Sequence, residues 1–325
     1  MHEVKLALID AAAPAVAARL ATPLANSPLI GHVLDELARA GLEEVRIVVA
    51  EGASKALERA IASRPPGGPR VVTVAARGGG RAVVEELSRA LQRGPALIHP
   101  GDCLLGEGVA QICERFAAGD VDAVLPARPE RELKDTGRLG DAAMVLAPAA
   151  GDCCRAVMAG AGRRSLARAI LSSGLRLAVC EQPCAWCYCE STEALLEANR
   201  MLLDALPGEA GAQGAERDGV TVAGRVAIHP SAQLRDCAVC GPVAIGARAR
   251  VEDSHIGPYT AIGADAVVIG SEVDNSMVLE GAELRHPGMR IEGSILGERA
   301  SVTRSFQLPR GLHLHLPPGS RVTLS

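Results

Sequence analysis

The sequence predicts two structural units in tandem, an α/β unit on a mostly parallel sheet and then a left-handed parallel β-helix. Three observations predict this. Apolar residues recur every 17 positions near the C-terminus, in three series: Ile228, Ile245 and Ile262; Leu234, Val251 and Val268; Val239, Ile256 and Val273. Over the first 205 residues, short apolar runs alternate with amphipathic stretches. Between these regions lies a polar, Gly-rich stretch at 208–219.

The strand–helix alternation comes first in the chain. Val4–Ile9, Val45–Ala50, Val71–Ala75, Ala96–His99 and Val121–Leu125 read as strands. Leu29–Ala40 has apolar residues at 29, 30, 33, 34 and 37, the spacing of one helix face, and Gly41 stops it. Arg81–Leu91 and Gly108–Ala117 follow the same pattern. This order argues for a mostly parallel sheet with helices on both faces. A helix over Ser165–Ser173, a strand over Leu175–Glu181 and a closing helix over Thr192–Leu206 complete the unit.

Residues 1–207 therefore form the first domain, 208–219 the linker and 220–325 the second domain. Within one 17-residue period the apolar positions stand six, five and six apart, from 228 to 234, 239 and 245. Side chains at that spacing, set among Gly, Ala and short polar residues, point into the bore of a coil. A coil buries its apolar row only against its neighbours, so three or more are needed for a core. Ala-Ile-His-Pro-Ser-Ala, Ala-Ile-Gly-Ala-Arg-Ala and Ala-Ile-Gly-Ala-Asp-Ala, starting at 227, 244 and 261, are hexapeptide repeats. Coils are expected from Val220 to about Val302, and Leu312, Leu314 and Leu316 read as a capping strand.

Composition narrows the function classes. With 325 residues, 48% hydrophobic and 22% charged, the chain suits a globular protein with two cores. Aromatic residues are only 2%, which leaves few rings to stack on a base. A net charge of −4 gives no basic field for nucleic acid. No apolar run is long enough to span a bilayer, and Glu3 and Asp10 interrupt a signal-like start. The cytoplasm, with reduced thiols, is the expected compartment for the ten cysteines. Lysine occurs only at Lys5, Lys55 and Lys134, so lysine sites are few.

Three stretches carry a resemblance to a known family. Pro28-Leu29-Ile30-Gly31-His32-Val33 runs on through Ala40-Gly41-Leu42, and Ala96-Leu97-Ile98-His99-Pro100-Gly101-Asp102 ends a strand. Leu195-Leu196-Glu197-Ala198-Asn199-Arg200 precedes the coils. In this order the chain resembles the long-form sugar-1-phosphate nucleotidyltransferases, especially glucose-1-phosphate thymidylyltransferases. The resemblance implies a Rossmann-like nucleotidyltransferase domain before the β-helix. It also implies a reaction in which a sugar phosphate oxygen attacks the α-phosphorus of a nucleoside triphosphate and releases pyrophosphate. The protein's part is to cradle phosphates, neutralise charge with Mg²⁺ and cations, and align the attack.

Carried over residue by residue, the resemblance implies Asp102 as the Mg²⁺ ligand and Arg19 on the triphosphate. Gly79 and Gly80 would lie against the base, and Lys134 would hold the sugar phosphate. The chain departs from the family at its reactive motifs. The Gly-rich loop is replaced by Asp10-Ala11-Ala12-Ala13-Pro14-Ala15-Val16-Ala17-Ala18-Arg19, whose Cβ atoms and proline hinder a phosphate cradle. That segment can instead continue into a helix. Ser27-Pro28 stands where the family has Lys-Pro, and Tyr188 aligns with the second metal Asp. Tyrosine is a poor ligand for hard Mg²⁺.

Three cysteine and histidine patterns have blander readings. Cys180, Cys184, Cys187 and Cys189 are dense enough to raise zinc or an iron–sulfur cluster, but lack the paired knuckle spacing of structural zinc sites and read first as buried or mouth-lining thiols; Cys187 and Cys189 could share one strand face, which leaves a metal or redox role there as the alternative. Cys237 and Cys240 read as packing. His229, His255 and His286 could serve as the general base of a hexapeptide acyltransferase, but read as solvated corner residues.

The leading expectation is a nucleotidyltransferase homologue with standard activity lost or much reduced, serving as a binding, regulatory or assembly subunit. The alternatives are an active nucleotidyltransferase with a rebuilt Mg²⁺-dependent site and, third, an acyltransferase. A nucleotide or sugar phosphate is the expected ligand class. A homo-oligomer, often trimeric in such folds, and a protein partner are expected; nucleic acid and membranes are not.

Overall fold

The computed structural model describes residues 3–52, 55–64, 66–76, 80–126, 143–157, 173–180, 187–206 and 216–304. Gly79, Lys134, Cys184, nearly all of the helix expected over 165–173 and the capping strand expected over 312–316 lie outside the described residues.

In the first unit, eleven strands and seven helices are described. The strands are β1 (Leu6–Ala11), β2 (Pro23–Leu24), β3 (Ser27–Pro28), β4 (Glu44–Ala50), β5 (Arg70–Ala76), β6 (Ala96–His99), β7 (Cys103–Leu104), β8 (Ala123–Pro126), β9 (Met144–Leu146), β10 (Leu177–Cys180) and β11 (Cys187–Tyr188). The helices are α1 (Pro14–Leu20), α2 (Leu29–Arg39), α3 (Lys55–Ala62), α4 (Gly80–Arg93), α5 (Gly108–Ala117), α6 (Gly151–Val157) and α7 (Thr192–Asp204).

Seven strands form one sheet in the order β10-β8-β9-β6-β1-β4-β5. Parallel pairing joins β5, β4, β1 and β6, while β9 runs antiparallel to both β6 and β8. Side chains alternate between the sheet's faces. In β1, Ala7, Ile9 and Ala11 enter one apolar core with α1, α2 and α5, while Leu6 and Leu8 enter a second core with α4 and α6. Helices on both faces follow from this two-sided burial. The order reverses at β1: the chain moves outward to β4 and β5, then returns to β6 on the other side of β1.

Sequence reasoning did not anticipate β9, the β2–β3 hairpin, α3 or α6. Cys153 and Cys154 lie in α6, with Cys154 buried. Strand β9 has three residues, too few for periodicity to register, and the hairpin is set by its turn. Ala25 and Asn26 both have positive φ, at 46° and 66°. Two such residues make the primed turn that suits a tight hairpin.

The second unit is three parallel sheets of six, five and five strands, stacked as a β-helix from Glu216 to Thr303. All three apolar series fall in register: Ile228, Ile245 and Ile262 pair in one sheet, Leu234, Val251 and Val268 in another, Val239, Ile256 and Val273 in the third. These residues form one internal core. The first coil begins at Glu216, inside the stretch read as linker, where Glu216–Asp218 pairs with Gln233–Arg235. Those polar residues carry no part of the apolar period, so only backbone pairing assigns them.

The period changes after Val273. Ile262 is followed in its row by Val278, 16 residues on, and Val278 by Leu296, 18 on. One residue is lost at the 274–277 corner and again at 292–295, and two are added at 285–290, where Met289 is 74% exposed. Corner changes leave the inward rows aligned. Corners also take left-handed backbone, as at Asp236, Asp253 and His286 on one edge and Arg248, Asp265 and Arg299 on another.

One coil sheet is apolar on its outer face as well. Ala227, Ala244, Ala261, Met277 and Ile295 stack there. Met277 is buried in the α/β core, with Leu279 and Ile295 packed against that core. The two units are joined by Asn199 of α7, which is wholly buried. Its Oδ1 accepts from the Ala25 N–H of the hairpin at 2.9 Å, and its Nδ2 donates to the Tyr259 carbonyl of a coil corner at 3.2 Å. The Arg200 guanidinium sits 4.5 Å over the Tyr259 ring.

Asn199→Ala leaves a buried N–H and a carbonyl without that partner, at about 1–3 kcal/mol for each such group. The expected result is a loss of about 2–3 kcal/mol in urea unfolding, with an earlier transition reported from the unit interface. A change below about 0.5 kcal/mol would show that the bridge contributes little.

Glu36 of α2 generates a second prediction. It is buried, and its carboxylate accepts from the Leu105 and Gly106 N–H groups at 3.1 and 2.8 Å. Burial pushes its pKa up to about 7, against the pull of those two amides and Arg39. An acid whose folded pKa is raised stabilises the fold below its unfolded value of about 4.5, and this contribution is lost as pH rises toward 7. Wild type is therefore expected to lose stability relative to Glu36→Gln between about pH 4.5 and 7, by on the order of 3 kcal/mol. Parallel stability–pH curves from urea titrations would contradict this.

Candidate functional site

The carboxyl ends of β1 and β6 meet at the reversal in strand order, the place where open α/β sheets bind ligands. Two residues, Ala12 and Ala13, separate β1 from α1. The Asp10 carboxylate turns back to accept the Ala12 N–H at 3.1 Å, and Pro14 opens the helix at a position that needs no donor. The expected alternative for this segment, continuation into a helix, is the one found. Arg19 stands in the last turn of α1.

From the other strand, the chain after β6 turns at Gly101, where φ is +91°. A Cβ there would lie 3.1 Å from the Asp10 carbonyl and 3.2 Å from Val16 Cγ1. Only glycine allows both the left-handed turn and this approach to β1 and α1. The wholly buried His99 accepts the Gly101 N–H through Nδ1 at 3.0 Å, which fixes the turn. Asp102 is thereby delivered to Arg19.

The two residues form a forked ion pair. Arg19 Nε and Nη2 both donate to Asp102 Oδ2, at 3.0 and 2.5 Å. The Asp102 side chain is 5% exposed and that of Arg19 25%, so the pair closes from the solvent side. Sequence reasoning selected both residues and assigned them to different ligands; the structure directs them at each other.

A cysteine ribbon lies behind the pair. Strand β11 pairs antiparallel with β7, placing Cys187 opposite Leu104 and Tyr188 opposite Cys103. The next residue, Cys189, donates its N–H to the Asp102 carbonyl at 2.9 Å. Tyr188, read as the stand-in for a second metal carboxylate, is thus beside Asp102 in the fold. Cys187 donates its thiol to the Ala194 carbonyl of α7 at 3.1 Å. The Cys189 thiol is pushed well above its usual range, first by its hydrogen bond with Cys187, then by burial, then by Cys187, Cys103 and Asp102 as neighbours. Neutral thiols are poor nucleophiles and poor metal ligands. The contribution of Cys103 to this cluster was not anticipated, because it comes from a strand some 84 residues earlier than Cys187.

The donor set does not fit a resident Mg²⁺, which takes oxygen ligands in octahedral geometry. Asp102 Oδ2 is occupied by Arg19, the neighbouring groups are thiols and a phenol, and no cluster of three ligating side chains occurs among the described residues. Gly80 begins α4 beyond the edge strand β5, exposed, with open space where a Cβ would be. It is two strands away from β1.

Elsewhere, Cys237 packs inside the coils, where burial pushes its pKa up to about 11. His229 and His286 are exposed at coil corners and His255 is half-buried. His229 Nδ1 meets Ser231 Oγ at 2.9 Å. No described helix is long and apolar enough to cross a membrane. Compared with known proteins, the chain matches no family model and no curated sequence.

Arg19→Ala strands a nearly buried carboxylate, whereas Asp102→Asn removes the charge and leaves Arg19 free to reach water. Arg19→Ala is expected to cost about 2–4 kcal/mol in urea unfolding and Asp102→Asn less, with the double variant recovering part of the loss. Strictly additive losses would mean that the pair is not coupled.

Proposed function

We propose that the chain is a sugar-1-phosphate nucleotidyltransferase homologue whose standard activity is lost or much reduced, acting as a binding, regulatory or assembly subunit. In this reading the first unit is a Rossmann-like nucleotidyltransferase domain and the coils wind left-handed. The Arg19–Asp102 pair carries the reading. Nucleotidyl transfer needs a cation free to meet the triphosphate and a carboxylate free to hold a metal. Here each engages the other. The two-residue join between β1 and α1 adds support, since a triphosphate cradle needs a run of free backbone N–H groups.

Losing a single positioned electrostatic group commonly costs about 10²–10³ in rate, and here several are altered together. An assembly role draws on the coils. The α/β unit covers one coil sheet, while the other two present mixed faces such as Arg250 and Glu252, paired at 2.7 Å. Those faces are the surfaces available for a homo-oligomer or a protein partner.

The test is pyrophosphate release from a panel of nucleoside triphosphates and sugar 1-phosphates with Mg²⁺, wild type beside Asp102→Ala. The expected result is no release by folded wild type above the variant. Turnover that Asp102→Ala abolishes would overturn the reading and establish an active enzyme in which Arg19 leaves Asp102.

A further inference from the structure

Of the two coil sheets that the α/β unit leaves open, one carries an ordered pattern on its outer face. Its strands at 250–252, 267–269 and 283–285 are consecutive rungs in register. The central residue of each, Val251, Val268 and Leu284, enters the coil core, so the flanking residues point outward. The outward pairs are Arg250 with Glu252, Val267 with Ile269, and Glu283 with Arg285. Val267 and Ile269 are half-buried and form an apolar rung between two ion pairs. Arg250 Nε meets Glu252 Oε1 at 2.7 Å, and Arg285 Nε meets Glu283 Oε2 at 3.0 Å.

The order of charges inverts across the apolar rung. Arg250 and Glu283 flank Val267 in one outward row, while Glu252 and Arg285 flank Ile269 in the other. A second copy turned about a two-fold axis along the central strand presents this face with its rungs reversed. Arg250 then meets Glu283 of the second copy, Glu252 meets Arg285, and Val267 and Ile269 meet their own equivalents. One rung further out, Gln233 and Arg235 meet Ser301 and Thr303, so no like charges oppose each other. Such a match of a surface with itself is what a two-fold interface requires. The other open sheet lacks the inversion, with Ala238, His255 and Glu272 stacked in one outward row.

We propose that this face is a homodimer interface, packed against the same face of a second copy of the chain about a two-fold axis along the Val267–Ile269 rung. This specifies the assembly part of the function proposed above, as a two-fold contact rather than a trimer. It stands without the nucleotidyltransferase part, because it uses coil residues alone. Val267 and Ile269 supply the water-excluding centre, and the four charges around them fix register and orientation. A slip of one rung toward the N-terminal coil would set Arg250 against Val267 and Arg285 against Arg235. The first is a desolvated charge and the second a like-charge contact. Six strands at a spacing of about 4.8 Å give a face about 25 Å long. That is small for a stable interface, so a dissociation constant in the micromolar range is expected.

Sedimentation equilibrium of the full-length chain is the test, and wild type is expected to show a reversible monomer–dimer equilibrium. The double variant Arg250→Glu, Glu252→Arg keeps an ion pair within the chain but opposes like charges across the axis. Its dissociation constant is expected to rise roughly tenfold or more, as is that of Glu283→Arg, Arg285→Glu. Mixing the two double variants is expected to restore dimers of unlike copies, because each swapped rung then meets the other. A wild type that is monomeric or trimeric would overturn the proposal. So would a dimer that persists in Arg250→Glu, Glu252→Arg, as an axis along the coils would allow, or double variants that stay apart when mixed. Thermal melts of each variant separate lost association from lost folding. Turnover in the pyrophosphate assay would leave these outcomes unchanged, so the two proposals fail separately.

Discussion

The buried amide of Asn199 is the contact through which the two units act as one structure. A coil cannot close its own end, and the β2–β3 hairpin has only two residues per strand, so neither is stable alone. Asn199 satisfies a backbone group of each and fixes α7 against both. The same helix holds Cys187 through the Ala194 carbonyl, and the strand carrying Cys187 pairs with the segment that follows Asp102. A continuous set of polar contacts thus runs from a coil corner to the floor of the candidate site. The apolar outer row ending in Met277 supplies the area, and Asn199 supplies the register.

At the far end of that set, the site is arranged for stability as much as for binding. An arginine and an aspartate at the carboxyl edge of a parallel sheet would be open to solvent ligands if held apart. Gly101 brings them together by letting the β6 turn close on β1 and α1. A charge this enclosed needs a partner, and an internal guanidinium provides one without any ligand. The raised Cys189 thiol belongs to the same arrangement, because a thiolate beside Asp102 would add negative charge where little water can reach it.

Much of the fold was legible in the sequence, because burial in repeated or periodic elements imposes a period. The inward rows at 228, 234 and 239 were legible to the residue, since stacked coils force the same spacing on each turn. The long helices α2, α4 and α5 were legible from one apolar face each. Strand β9, the primed turn at Ala25 and Asn26, and the first coil strand at Glu216 were not. Their positions rest on pairing with distant backbone rather than on a local pattern. The outer row of Ala227, Ala244 and Ala261 was visible as repeated alanine, but its burial depends on a domain that covers it.

The sequence by itself determined the coil register, the strand–helix order and the identity of Arg19 and Asp102 as residues of interest, because side-chain period and residue type are local properties. Only the tertiary structure decided what those two residues do to each other. It also decided that the thiols of Cys103, Cys187 and Cys189 share one buried ribbon. Each of these depends on which strands become neighbours, and a sheet order of β5-β4-β1-β6 is set by the free energy of the whole packed core rather than by any segment within it.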